Sequence, residues 1–140
     1  YWRNPNATAE SVQDGWVSVG DIATRDDEGY LYIIDRKKDM ISSGGINVYP
    51  REIENVLMEH PAILECAVFG LKDDDWGESI HCAMVCRADT AGEALAEWLE
   101  QRVARFKIPK FFHPIKELPS NGSGKILKRV LAEQFGGPAN

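Results

Sequence analysis

The stretch LPSNGSGKILKR, residues 118–129, sets small residues and two glycines before a lysine, a composition suited to holding a phosphate. The phosphate-loop pattern G-x-x-x-x-G-K-[ST] nevertheless fails at two places. Pro119 occupies the position of the first glycine, and Ile126 stands where a magnesium-binding hydroxyl should follow Lys125. Lys125 then has two readings: a solvent-exposed lysine, or a mobile ammonium presented on a glycine turn to an anion bound elsewhere. It falls at the entrance of a predicted terminal helix, where the macrodipole disfavours a cation by about 0.3–1 kcal/mol.

Three further stretches carry residues suited to chemistry. SVGD ends a predicted strand at Asp21, whose carboxylate could accept hydrogen bonds from ribose hydroxyls. DRKKD, residues 35–39, follows a strand directly; it reads as a solvated charged turn or, at an element's end, as a hinge. SSGGINVYP reads as a loop in which Gly44 and Gly45, lacking Cβ atoms, would let a ligand approach the backbone closely. Cys66, Cys82 and Cys86 form no C-x-x-C pair and sit among apolar residues, as buried reduced thiols of a cytoplasmic protein do. A zinc site from His81, Cys82 and Cys86 is disfavoured, because neighbours on one strand point to opposite faces.

Charge narrows the partners. The net charge of −6 hides an asymmetry: residues 1–100 carry 8 Lys/Arg against 20 Asp/Glu, and residues 101–140 carry 8 against 2. A basic end on an acidic chain can hold anions such as nucleotide or coenzyme phosphates, or can be a solvated surface. Overall acidity argues against nucleic acid. No apolar run approaches the roughly 20 residues that span a bilayer, so no transmembrane segment is expected. With 44% hydrophobic and 27% charged residues, the 140-residue chain is that of a folded domain. It begins at Tyr1, as a piece of a longer protein would.

The elements that must position these residues follow from periodicity and turn residues. GWVSVGDIATR and GYLYIIDR read as a hairpin closed by DDEG. Pro50 opens a helix that presents Ile53, Val56 and Leu57 and stops before Pro61. AILECAVFGL and SIHCAMVCR read as strands, a helix is predicted over 90–106, and KFFHPI is a short strand. ILKRVLAEQF forms the last helix, and GGPAN is a frayed tail. The expectation is an α+β domain: a three-stranded sheet flanked by helices, preceded by a β-hairpin.

Taken in order, GWVSVGD, GYLYIIDRKKDMISSGGINVYPREIE and LPSNGSGKILKR resemble the carboxyl-terminal part of the adenylate-forming acyl-CoA synthetases, a superfamily that includes luciferases and nonribosomal peptide synthetase adenylation domains. The resemblance runs from about Gly15 to Phe135. It implies that residues 1–34 end a large amino-terminal domain and that 35–140 form the small mobile domain. It implies ATP, Mg2+ (held mainly by the large domain) and coenzyme A as cofactors. The carboxylate substrate, most like a fatty acid, would be joined to AMP and then to the thiol. By position, Asp21 and Arg36 match nucleotide-binding residues, and Lys38 matches the hinge. Gly45, with Gly44 beside it, matches the glycine lining the pantetheine tunnel, and Lys125 matches the adenylation lysine. Two departures stand out: Val19 replaces the threonine of a T-G-D motif, and Asp35 replaces a glycine. By itself the chain is expected to have no ligase activity. The competing readings are an adenylation domain that loads a carrier protein and a non-catalytic module binding coenzyme A or nucleotide.

Overall fold

The structure, a computed structural model, describes residues 3–137. Residues 138–140 of the expected frayed tail lie outside the described residues. The chain divides into two compact units, Tyr1–Lys38 and Asp39–Asn140, so residues 35–38 group with the first.

The first unit is built from hairpins. A short helix α1 (Pro5–Ser11) leads into β1 (Val12–Gln13) and β2 (Trp16–Val17), which pair antiparallel. Between them Asp14 and Gly15 both have positive φ, 51° and 81°, the backbone of a two-residue turn whose twist matches the strands. The Asp-Gly pair signals this turn, which the sequence reading absorbed into one long strand. That strand is broken after Val17, with Gly20 at φ 76°, and resumes as β3 (Asp21–Arg25). Strand β3 pairs antiparallel with β4 (Leu31–Arg36), as expected. Asp26 ties their turn: Tyr30 N–H donates to its Oδ1 and Tyr32 O–H to its Oδ2, each at 2.9 Å. Among the described residues of this unit only Asp35 is buried, while Trp16 and Leu31 are 81% and 71% exposed.

In the second unit β7 (Ile63–Asp73) and β8 (Gly77–Cys86) form a long antiparallel pair, and β9 (Phe111–Pro114) adds parallel to β8. These are the three strands expected from sequence. Two short strands extend the sheet, β5 (Ile41–Ser43) and β6 (Ile46–Val48), an antiparallel hairpin joined to β8 at Ser43 and Gly77. The Ser/Gly loop expected here is therefore a hairpin turn, with Gly44 and Gly45 at φ 58° and 77°. Gly-Gly between short apolar runs is itself a hairpin signal.

Both faces of the sheet are covered, which explains why β7 and β8 read as nearly continuous apolar runs. On one face Cys66, Val68, Ile80, Cys82 and Met84 pack under α2 (Pro50–Met58) and α3 (Gly92–Glu100). Ile53 and Leu57 of α2 and Leu95 and Leu99 of α3 are fully buried there, each contributing about 1.5–3 kcal/mol. On the other face Ala67, Phe69 and Ala83 meet Leu131 of α4 (Lys128–Gly136). His81 and Cys82 accordingly face opposite sides.

Helix α3 ends six residues earlier than the periodicity predicts. Arg102 lays its guanidinium 3.5 Å over the Trp98 ring and donates to the Trp98 carbonyl at 2.9 Å, taking up an acceptor the last turn leaves open. Ala104 is extended, and a 3₁₀ turn at Arg105–Lys107 carries the chain to Pro109.

Under α4 lies a stack of rings. Phe111, His81, His113 and Phe135 follow one another with centroids 4.6, 5.2 and 4.1 Å apart. His81 Nε2 is 3.0 Å from Ser79 Oγ, and His81 Nδ1 is 2.9 Å from His113 Nε2. Burial, helped by the neighbouring His113, pushes the His81 pKa down to about 4 despite the opposing charge of Asp73; burial lowers His113 as well. Both imidazoles are thus neutral in the fold and protonate more readily once unfolded. Their contribution is intact above pH ~6.5 and is lost as pH falls from there toward 4, at up to about 1.4 kcal/mol per pH unit per proton. Thermal unfolding of the chain should show its midpoint falling between pH 6.5 and 4.5, and His81→Phe should flatten that slope. A wild-type midpoint constant across the interval would contradict the neutral stack.

Candidate functional site

Lys125 sits in a small hairpin whose base is fixed. Ser120 and Ile126 form an isolated antiparallel bridge, and Leu127 N–H donates to the Pro119 carbonyl at 2.8 Å. Leu118 is buried below the loop, and Ile126 packs on the same core cluster. Across the tip Gly124 N–H donates to Asn121 O at 2.9 Å, and Asn121 N–H donates to Lys125 O at 3.0 Å. Gly124 has φ 78°, so the loop is a turn closed by a glycine bulge. Helix α4 begins only at Lys128. Lys125 therefore lies on the loop rather than at the helix entrance, and the macrodipole penalty considered from sequence falls instead on Lys128. The Lys125 side chain is exposed, and no ion pair is formed by it among the described residues.

Asp21 and Arg36 are direct partners in the first unit. They face each other in the β3–β4 register, and Arg36 Nε stands 2.7 Å from Asp21 Oδ1. That oxygen is shielded from solvent and has no hydrogen-bond partner among the described residues, only the ion pair. The Arg36 side chain is 48% exposed, so this ion pair contributes at most about 1 kcal/mol. Buried Asp35 accepts a 2.7 Å bond from the Arg36 amide, and Lys37 N–H donates to Gly20 O at 2.8 Å. Val19, Gly20, Arg36, Lys37 and Lys38 line an open hollow of about 440 Å³. Lys38 is exposed, in a 3₁₀ turn over Lys37–Asp39.

The Gly44–Gly45 turn is held by a residue that sequence reasoning left in a polar loop, Trp76. Gly44 N–H donates to the Trp76 carbonyl at 2.8 Å, and Ser42 N–H donates to Glu78 Oε2 at 2.6 Å. A Cβ on Gly44 would come within 2.9 Å of Trp76 Cε3, whereas one on Gly45 meets nothing within 4 Å. Lys110 Nζ, just ahead of β9, lies 4.5 Å over the indole. The only advance signal was one large aromatic side chain within KDDDWGE. Gly45 is thus the open position of the turn and Gly44 the packed one. No hydrogen bond or ion pair joins Lys125 to this turn among the described residues.

Among the described residues no group of three or more His, Cys, Asp or Glu side chains could hold a metal ion. No helix in the described residues is long and apolar enough to cross a membrane.

The model of the AMP-binding enzyme C-terminal domain matches residues 52–125, and the chain belongs to that family. A feruloyl-CoA synthase of Amycolatopsis is 48% identical over 139 residues, covering 97% of this chain and 28% of that protein. A long-chain-fatty-acid–CoA ligase of Mycobacterium tuberculosis is 48% identical over 136 residues, 96% of this chain and 27% of that protein. The solved o-succinylbenzoate-CoA synthetase of Bacillus subtilis, with its acyl-adenylate intermediate, superposes with a TM-score of 0.88 at 40% identity. It is matched over 94% of this chain and 27% of its own. The chain thus spans under a third of the curated relatives it matches.

The two glycines should differ in tolerance. Gly45→Ala meets only the cost of a positive φ, about 1–2 kcal/mol, whereas Gly44→Ala must also displace the Trp76 ring, bringing the loss to roughly 2–3 kcal/mol. Urea unfolding followed by circular dichroism measures both. Equal losses would mean that Trp76 does not brace the turn.

Proposed function

We propose that this chain is the carboxyl-terminal part of an ATP-dependent acid–CoA ligase. The enzyme would activate a carboxylate as acyl-adenylate and pass the acyl group to coenzyme A. The observation that carries the reading is the 120–126 hairpin, which holds an exposed ammonium, in no ion pair among the described residues, on a tied backbone inside a chain of this family. Lys125 would meet the acyl carboxylate and α-phosphate as negative charge develops. Asp21 would accept from ribose hydroxyls while Arg36, released from a weak exposed pair, turns its planar fork to nucleotide oxygens. Gly45 would let pantetheine pass along the open side of its turn.

Residues 1–34 would end the large domain, which supplies most of the nucleotide pocket and the metal site; their exposed apolar side chains and near absence of burial favour this reading. Without that domain the chain would not turn over. The acid is a fatty or aryl carboxylate, with a fatty acid preferred on the DRKKDMISSGGINVYPREIE motif, and the enzyme works in the cytoplasm. The named activities of the relatives (feruloyl, long-chain fatty acyl, succinylbenzoate) support the acid–CoA class without singling out one acid.

The two turns should separate the half-reactions of the full-length enzyme. Lys125→Ala should lower adenylation, read by pyrophosphate exchange, by ~10²–10³ while sparing thioester formation from supplied acyl-adenylate. Gly45→Leu should do the reverse. Loss of both steps alike in both variants would refute the assignment.

Lys38 is the proposed hinge. Proline there fixes φ near −65° and takes away an amide donor, so Lys38→Pro should keep adenylation but slow coenzyme A-dependent turnover. Equal loss of both steps in a folded protein would sink the hinge role.

A further inference from the structure

The sequence around Lys125, SNGSGK, reads as flexible, yet its backbone is fastened by one side chain. Asn121 Oδ1 accepts three hydrogen bonds: from Ser123 N–H at 3.1 Å, Ser123 Oγ–H at 2.7 Å and Lys125 N–H at 2.9 Å. The Asn121 backbone closes the same ring from the other side, donating to Lys125 O and accepting from Gly124 N–H. Both backbone polar groups of Lys125 are therefore spoken for by residue 121. We infer that Asn121 is the positioning residue for Lys125, setting where the ammonium starts from by fixing the backbone that carries it. The inference rests on the role proposed above for Lys125.

Physical reasoning makes the amide oxygen the important atom. A loop with glycines at 122 and 124 has large conformational freedom, and ordering it costs entropy that the packed base does not repay at the tip. Asparagine at the first position of such a turn caps amides two residues on, which aliphatic residues cannot do. The Asn121 side chain is exposed and bonds only within the loop among the described residues, so its effect on chemistry passes through Lys125 rather than through the core. Misplacing a reacting group by about 1 Å can cost ~10²-fold in rate.

The test uses the full-length enzyme with both half-reactions measured separately. Asn121→Ala should slow adenylation by about tenfold or more, mostly in kcat and little in the KM for ATP, and leave thioester formation within about twofold. Asn121→Asp keeps an oxygen acceptor in the same place and should recover most of the lost rate. In the 140-residue chain, hydrogen exchange at the Lys125 amide should quicken in Asn121→Ala and remain slow in Asn121→Asp. Adenylation unchanged in Asn121→Ala, both half-reactions slowed equally, or no recovery with aspartate would overturn the positioning role. Lys125→Ala keeps the two claims apart. If it cripples adenylation while Asn121→Ala does not, only this inference fails; if it is harmless, the reading of Lys125 fails first.

Discussion

The second unit turns on the carboxylate of Glu54. From α2 its Oε1 accepts the Val68 amide at 2.8 Å, on the edge of β7 that no strand covers, and it pairs with Lys128 Nζ at 2.7 Å. One oxygen thereby joins a helix from one face of the sheet, the open edge of the sheet, and the first residue of the helix on the other face. An unpaired strand amide would otherwise be a site for unwanted pairing. Lys128 is a cation at the positive end of a helix, a placement that is unfavourable without such a partner. Its anchoring fixes the start of α4, and with it the foot of the hairpin that carries Lys125. Glu52, two residues earlier on α2, holds Lys107 at 2.7 Å and so ties the segment that leads into β9.

Against this rigid body, the two candidate turns differ in how they are braced. The Gly44–Gly45 turn has no side chain of its own and borrows rigidity from Trp76, in the tight connection between β7 and β8. The 121–125 turn braces itself through Asn121. The two glycine-rich turns come from separate parts of the sequence and hang from separate elements. Each can therefore be altered with little coupling to the other. The ring stack under α4 adds a purely structural demand: burial keeps its imidazoles neutral, so the fold loses stability as acid protonates them.

How much of this was legible depended on the kind of signal. The β7–β8 pair and α2 could be read because burial on a face imposes a period, and Pro50 and Pro61 mark the ends of α2. The order of short motifs gave the family, since chemistry fixes residue types at intervals that packing alone would not. The Gly-Gly and Asp-Gly hairpins carried a local signal that was passed over in favour of a loop and a continuous strand. The end of α3 was not legible: the apolar spacing persists through Val103, and the stop depends on Arg102 folding back over Trp98. Trp76 and Asn121 were missed for the same reason. Each acts through contacts with backbone atoms, which residue type does not advertise.

Composition left the basic end of the chain open to two readings. Eight Lys/Arg in residues 101–140 could hold anions or form a solvated surface. The fold uses most of that charge internally. Lys107, Lys128 and Arg129 face Glu52, Glu54 and Glu133, while Arg102 and Lys110 lie over the rings of Trp98 and Trp76. A guanidinium or ammonium above an indole is held by the ring's negative face and is less available to a phosphate. Lys125 has its backbone tied at both polar groups while, among the described residues, its ammonium has no carboxylate or ring partner. Spreading eight mobile cations over a surface would attract anions without direction. Neutralising the neighbours and fixing the backbone of one lysine instead concentrates positive potential at a defined point, which electrostatic catalysis requires.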